Sequence, residues 1–299
     1  IDRNDEAAVR GGMTMTAIRV EGLRKRYPRF ELQDVSFEVP RGGIVGLIGE
    51  NGAGKTTTIK AIVGAIRADA GKIEIYGRDG AKHGKDLKQD IAVVTEESFF
   101  HEEFAAKDVA HVMRRLYARW DDALYRQYLD RFHLPPDKRI KELSKGMRMK
   151  LAIATALAHR PKLLILDEPT SGLDPVVRSE ILDVFFDFIQ DEEHAILFSS
   201  HITTDLEKIA DYIVFIHGGR VVLSRPKDEL LEQYGIMKCG LDEFPKVDAA
   251  DYAGFRRYGF GCEMLVRDRQ AMRRKYPHLT IDPASIEDIM LYYARGGQA

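Results

Sequence analysis

Long apolar runs are missing from this sequence. Its uninterrupted hydrophobic stretches, such as Leu163–Leu166 and Ile213–Ile216, fall far short of the roughly 18–20 residues that a membrane-crossing helix needs, so none of them reads as a bilayer span. Cysteine is scarce as well. Only Cys239 and Cys262 occur in 299 residues, at a separation that fits neither a zinc site nor a redox pair, which points to a reducing compartment and to plain core thiols. Neither charge sign dominates: 45 Lys and Arg stand against 47 Asp and Glu, a net charge of −2. That balance argues against a surface built to neutralise a nucleic-acid backbone, so any basic patch is local and no nucleic-acid partner is expected. No charged-then-apolar leader opens the chain. The polar start Ile1–Gly12 precedes two candidate starts, Met13 and Met15, and residues 1–16 read as an upstream or expression-derived tail.

What is present is an apolar content of 44%, enough for a sizeable core, distributed as short strand-like runs that alternate with longer helical patterns. Ile44–Ile48, Ile91–Val94, Leu163–Leu166, Ala195–Phe198 and Tyr212–Ile216 read as buried strands of a mainly parallel sheet. Ile18–Val20, Val35–Val39 and Lys72–Tyr76 alternate with period two, as half-exposed antiparallel strands do, and predict a small β layer beside that sheet. Phe104–Leu134 is mostly helical and stops at Pro135-Pro136, so a helical insertion, about residues 98–160, is expected between two strands. After Ser224 the pattern changes to short strands and a last helix from Ser285, where Asp288 completes a capping pattern. The expected fold class is therefore α/β, with a main domain over residues 17–224 and a small α+β accessory domain over 225–299.

The segment Gly49-Glu-Asn51-Gly52-Ala53-Gly54-Lys55-Thr56-Thr57 matches the glycine-rich phosphate loop and lies between the predicted strand Ile44–Ile48 and a helical run predicted over Thr57–Ile66. Glycines let backbone N–H groups turn inward around phosphate oxygens, and the helix N-terminus behind them favours an anion. Lys55 is expected to grip the β and γ phosphates, and Thr56 to place its hydroxyl on Mg²⁺. Leu163-Leu-Ile-Leu166-Asp167-Glu168 then brings two carboxylates to the end of a buried strand, where ligands bind in open α/β sheets. Asp167 suits the Mg²⁺ shell, and Glu168 suits the attacking water as general base.

With Leu143-Ser144-Lys-Gly146-Met147 ahead of that strand and Ser171-Gly-Leu-Asp174 and His201 after it, residues 17–224 resemble the nucleotide-binding domain of ABC ATPases. The resemblance implies a phosphate-loop ATPase fold, with ATP and Mg²⁺ as ligands. It implies that Tyr27 stacks on adenine, that His201 contacts the γ phosphate, and that Ser144 and Gly146 reach the nucleotide of a second subunit across a two-fold seam lined by Asp174. Glu96 stands where the family usually has a glutamine. It is either a further contact to the metal shell or an ordinary loop acid. Lys145 and Met147 replace a usual glycine and glutamine in the signature segment, and the helix that follows is expected over Arg148–His159.

Between Arg256 and Lys275 basic residues interleave with Tyr258 and Phe260; a solvated face, an anionic-lipid or partner contact, and a nucleic-acid contact all fit that composition. The combination resembles bacterial exporter ATPases of the antibiotic-resistance and peptide-toxin kind. It implies a motor on the cytoplasmic face of the membrane, homodimeric or heterodimeric, driving a separately encoded integral permease. The alternative is a soluble ABC ATPase acting on nucleic acid or the ribosome, which normally carries two nucleotide domains or long insertions. Purely regulatory nucleotide binding is opposed by Glu168.

Overall fold

The computed structural model describes residues 16–80, 84–95 and 100–295. Its centre is a six-stranded sheet built from β3 (Ile44–Ile48), β6 (Ile91–Thr95), β7 (Leu163–Asp167), β8 (Ala195–Ser200), β9 (Tyr212–His217) and β10 (Arg220–Pro226), in the order β10-β9-β3-β8-β7-β6. All neighbours are parallel except β9 and β10, which form a hairpin. Every residue of β3, β7 and β8 is buried because both faces are covered. Ile44, Leu164, Leu166, Ile196 and Phe198 face one apolar cluster, while Val45, Leu163, Ile165, Ala195 and Leu197 face another. Two-sided burial accounts for the continuous apolar runs in the sequence.

The second face is closed by α1 (Lys55–Ile62) and by an antiparallel sheet of β1 (Thr16–Tyr27), β2 (Phe30–Pro40), β4 (Ala70–Ile75) and β5 (Arg78–Asp79), in the order β2-β1-β4-β5. α1 stops at Ile62, earlier than its apolar pattern through Ile66 suggests. Gly64, at φ 70, lets its own N–H reach the Ala61 carbonyl (3.1 Å) and the Ala65 N–H reach the Lys60 carbonyl (2.8 Å), the left-handed bond pair that ends helices. After the short α2 (Gly84–Leu87) and β6, the helices α3 (Ala106–Leu116), α4 (Asp122–Arg131) and α5 (Lys145–Leu157) precede β7. The first face of the sheet is covered by residues from these three helices together with α6 (Pro175–Phe188) and α7 (Thr203–Ile209).

His159, just past α5, ties this helical part to the sheet. It is 2% exposed, stacks on Tyr117 with centroids 3.9 Å apart, and holds the Ile91 carbonyl at 3.2 Å. Burial pushes its imidazole down to about 4 from an ordinary value of 6.5, so it is neutral in the folded chain at pH 7. The unfolded chain then binds more protons between those two values, and stability falls as pH drops through that window. The loss amounts to about 3 kcal/mol and levels off once the pH is below 4. Urea unfolding midpoints at pH 7 and pH 4.5 should show this slope, and His159→Phe should remove that part of it.

The C-terminal segment forms α8 (Lys227–Gln233) and a four-stranded antiparallel sheet of β11 (Gly235–Cys239), β12 (Gly254–Tyr258), β13 (Gly261–Val266) and β14 (Thr280–Pro283), followed by α10 (Ile286–Arg295); α9 (Arg269–Lys275) joins β13 to β14. Ser285 and Asp288 cap α10 reciprocally, with Ser285 N–H to Asp288 Oδ2 at 2.9 Å and Asp288 N–H to Ser285 Oγ at 3.1 Å. Leu230, Tyr234, Ile236, Leu265, Ile286, Ile289 and Tyr292 belong to the same apolar cluster as α6 and α7, while Met237, Met264, Val266 and Ile281 form a small core of their own. The Ile286 N–H donates to Glu207 Oε1 on α7 at 2.8 Å, and the Lys227 ammonium donates to the Glu207 carbonyl at 2.9 Å.

Candidate nucleotide site

β3 ends at Ile48, and the chain turns through Gly49–Gly54 into α1. A Cβ on Gly49 would lie 2.3 Å from the Ile216 carbonyl oxygen, and one on Gly54, at φ 117, would lie 2.6 Å from Leu32 Cδ2. Only glycine fits where β2 and β9 press this closely on the loop. The β9–β10 turn braces it further: Gly219 N–H donates to the Ala53 carbonyl at 3.1 Å, and its own carbonyl accepts from Gln33 N–H at 2.8 Å. Asn51, Gly52 and Thr56 are exposed, Thr57 is half-buried, and Ala53 and Lys55 are buried. Lys55 folds its ammonium back to the Gly49 carbonyl at 2.7 Å.

β7 and β8 bring the other groups to the same edge of the sheet, because Asp167 pairs with Ser199 in register and Ile48 pairs with Ser200. The Ser199 hydroxyl donates to Asp167 Oδ1. Glu168 lies at φ 54, a left-handed conformation that costs a non-glycine residue on the order of 1–3 kcal/mol, and its N–H donates to the Ser199 carbonyl at 3.0 Å. That backbone turn aims the carboxylate between two of the expected partners. Oε1 is 3.3 Å from the Lys55 ammonium, and Oε2 accepts from His201 Nδ1 at 2.7 Å and from His201 N–H at 3.3 Å. A carboxylate fixed on both sides in this way can orient a water molecule and take its proton.

Ser144, Gly146 and Asp174 form a second group. Ser144 Oγ accepts from Met147 N–H at 3.2 Å, which starts α5 at Lys145 rather than at Arg148, where the sequence pattern begins. Asp174 caps α6 in the same manner, accepting from Val176 and Val177 N–H at 3.1 and 3.0 Å, with Pro175 in the first turn. A Cβ on Gly146 would meet Val177 at 3.2 Å, and one on Gly172 would meet the Lys145 ammonium at 2.8 Å, so the N-termini of α5 and α6 are packed side by side. The turn after Glu168 joins the two groups: Ser171 N–H donates to the Glu168 carbonyl at 3.2 Å, and Leu173 N–H to the Thr170 carbonyl at 3.3 Å.

Tyr27 is 40% exposed at the end of β1, opposite Phe30 in register, with the Lys25 ammonium 5.7 Å from its ring centroid. Phe30 Cζ is 2.9 Å from where a Gly54 Cβ would sit, so the hairpin carrying Tyr27 leans on the phosphate loop. Glu96 lies outside the described residues. Among the described residues no group of three or more His, Cys, Asp and Glu side chains is placed to hold a metal ion. The hard oxygens of Thr56 and Asp167 are of the type Mg²⁺ selects. Sequence reasoning missed Ser199, whose hydroxyl and carbonyl hold both acids; its position one residue along from a predicted strand was the available signal. It also missed Asp205, buried at 1% exposure and 3.7 Å from Arg178, which couples α7 to α6.

The ABC transporter family model matches residues 32–171, from β2 to the turn after Glu168. The ABC transporter ATP-binding protein YtrB of Bacillus subtilis is 34% identical over 211 residues, covering 71% of this chain and 72% of that protein. The fluoroquinolones export ATP-binding protein of Mycobacterium tuberculosis is 34% identical over 218 residues, covering 71% of this chain and 72% of that one. A solved structure described as the ATP binding subunit of an ABC transporter superposes with a TM-score of 0.66 at 32% identity, over 72% of this chain and 92% of the other. The chain belongs to the ABC transporter ATP-binding proteins. It is accordingly an ATP-binding ATPase subunit.

Proposed function

We propose that this chain is the motor of an exporter: two ATPase subunits close on ATP, open after hydrolysis, and pass that motion to a separate membrane permease. The observation that carries the reading is the Glu168 carboxylate held between Lys55 (3.3 Å) and His201 (2.7 Å) beside a phosphate loop. In this reading Lys55 and the backbone N–H groups of Asn51–Thr57 bind the triphosphate, Tyr27 stacks on adenine, and Glu168 takes the proton of the attacking water. His201 holds Glu168 in place and reaches the γ phosphate. Thr56 and Asp167 would hold Mg²⁺, with Glu96 as a further candidate; the ion would neutralise phosphate charge. Ser144, Gly146 and Asp174 would close on the nucleotide of the opposite subunit, with the α5 N-terminus adding a favourable dipole.

Residues 17–224 are assigned the motor role and 225–299 an accessory one. The described residues include no helix long and apolar enough to cross a membrane. In this reading cargo selection falls to the permease, and the chain works at the cytoplasmic face. The export assignment draws on the relative named for fluoroquinolone export. Purification of tagged chain from detergent-solubilised membranes of its native cell should recover an integral membrane protein in stoichiometric amount. Recovery of ribosomes or nucleic acid instead would overturn the transport assignment.

A further inference from the structure

The two cysteines, 23 positions apart in sequence and of no evident pattern there, become direct neighbours in the fold. Antiparallel β11 and β13 pair Met237 with Met264 and, one step along the same face, Cys239 with Cys262. Directly opposed residues of an antiparallel pair have Cα atoms about 4.5 or 5.5 Å apart, depending on whether they exchange hydrogen bonds. Both values fall within the window of about 4.4–6.8 Å that a disulfide spans, so closure needs no large movement of either strand. The thiols are free and differ in access: Cys239 is partly exposed at the last position of β11, and Cys262 is buried. A short way along the sheet, Gly261 approaches so closely that a Cβ there would lie 2.6 Å from the Cys239 carbonyl oxygen, which keeps the two strand ends tightly apposed.

We propose that Cys239 and Cys262 form a cross-strand dithiol that is a site of reversible oxidative modification by small-molecule disulfides. Cys239, the accessible thiol, attacks one sulfur of the disulfide RSSR as its thiolate, forming a mixed disulfide and expelling RS⁻, which takes up the proton that Cys239 lost. Cys262 then attacks the Cys239 sulfur, the protein disulfide forms, and the second RS⁻ leaves and is protonated in turn. The balance is one dithiol and one RSSR giving one protein disulfide and two RSH, so the small disulfide is reduced by the two electrons the protein loses. Burial, then the neighbouring Cys262 and Glu243, raises the Cys239 thiol above its ordinary value, so thiolate is scarce at neutral pH and closure is slow. Closure pins β11 to β13 at the end where the chain departs into residues 240–253. The site lies on a different sheet from the nucleotide groups and does not depend on their assignment.

The experiment uses the whole reduced chain incubated with glutathione disulfide, quenched with a thiol-alkylating reagent and weighed intact. The expected product lacks two hydrogens, carries no glutathione, takes up no alkylating reagent until dithiothreitol is added, and yields a Cys239–Cys262 linked peptide on digestion. Cys262→Ser should stop at the mixed disulfide on Cys239, and Cys239→Ser should remain unmodified over the same time. A wild-type chain that keeps glutathione on Cys239 without closing, or that stays fully alkylatable after prolonged incubation, overturns the proposal. So does a disulfide found only between separate chains.

Discussion

Replacing Glu168 by glutamine should lower ATP turnover by at least about tenfold, and by as much as roughly 10²–10⁴, while ATP binding persists. The substitution keeps the size and the left-handed backbone turn but removes the proton acceptor. It also disturbs the local contacts in a defined way. One carboxylate now accepts from His201 at 2.7 Å while its other oxygen faces the Lys55 ammonium at 3.3 Å. An amide has a single acceptor oxygen, so it satisfies one of the two and presents N–H to the other. The weaker hold on Lys55 leaves the ammonium freer for phosphate, and the variant should accumulate as an ATP-bound dimer. Steady-state phosphate release, equilibrium binding of a fluorescent ATP analogue, and size-exclusion chromatography with ATP together test this. An unchanged rate would remove Glu168 from the reaction.

Lys55→Ala acts one step earlier. It deletes a buried ammonium that holds the Gly49 carbonyl at 2.7 Å and faces Glu168. Hydrogen bonds to charged groups contribute about 1.5–3 kcal/mol each, so one lost phosphate contact of this kind weakens ATP binding by about ten- to a hundredfold. Glu168 would also be left facing the triphosphate without an intervening cation, which adds to the loss. Calorimetric titration with ATP checks the affinity, and a thermal melt without nucleotide checks that the fold survives. Parent-like affinity in a folded variant would overturn the phosphate-loop assignment. The two substitutions thus separate binding from turnover, since Glu168→Gln spares the first and Lys55→Ala does not.

Much of this was readable from residue order because the chemistry at this edge of the sheet is local in sequence. A buried strand followed by glycines and lysine, or by two acids, states both an element and its active end. β3 spans the predicted residues, and β6 to β9 extend the predicted runs by one or two residues. Helix ends were less legible, since they depend on single capping contacts: Gly64 ends α1 early, and Ser144 starts α5 early. Contacts between distant segments carried no linear signal beyond a residue's place at the end of a strand. The Ser199 bond to Asp167, the Arg178–Asp205 pair and the facing of Cys239 on Cys262 all arise from strand register or helix packing. In the C-terminal sheet, Arg257 lies over Phe244 and Phe255, with its guanidinium 5.0 and 5.7 Å from their ring centroids, so one member of the basic stretch packs on aromatic faces rather than standing free in solvent.

The seating of α10 against α7 limits how the molecule can be dissected. Tyr293 meets Phe215 of the central sheet edge-on at 6.4 Å, and the Ile286 N–H donates to the carboxylate of Glu207, six residues past His201. A shortened polypeptide ending near Pro226 would bare greasy flanks of α6 and α7 and loosen the segment that carries His201. Deleting the tail region therefore perturbs catalysis and solubility together, and a phenotype from such a deletion reports on the motor as much as on whatever the tail does.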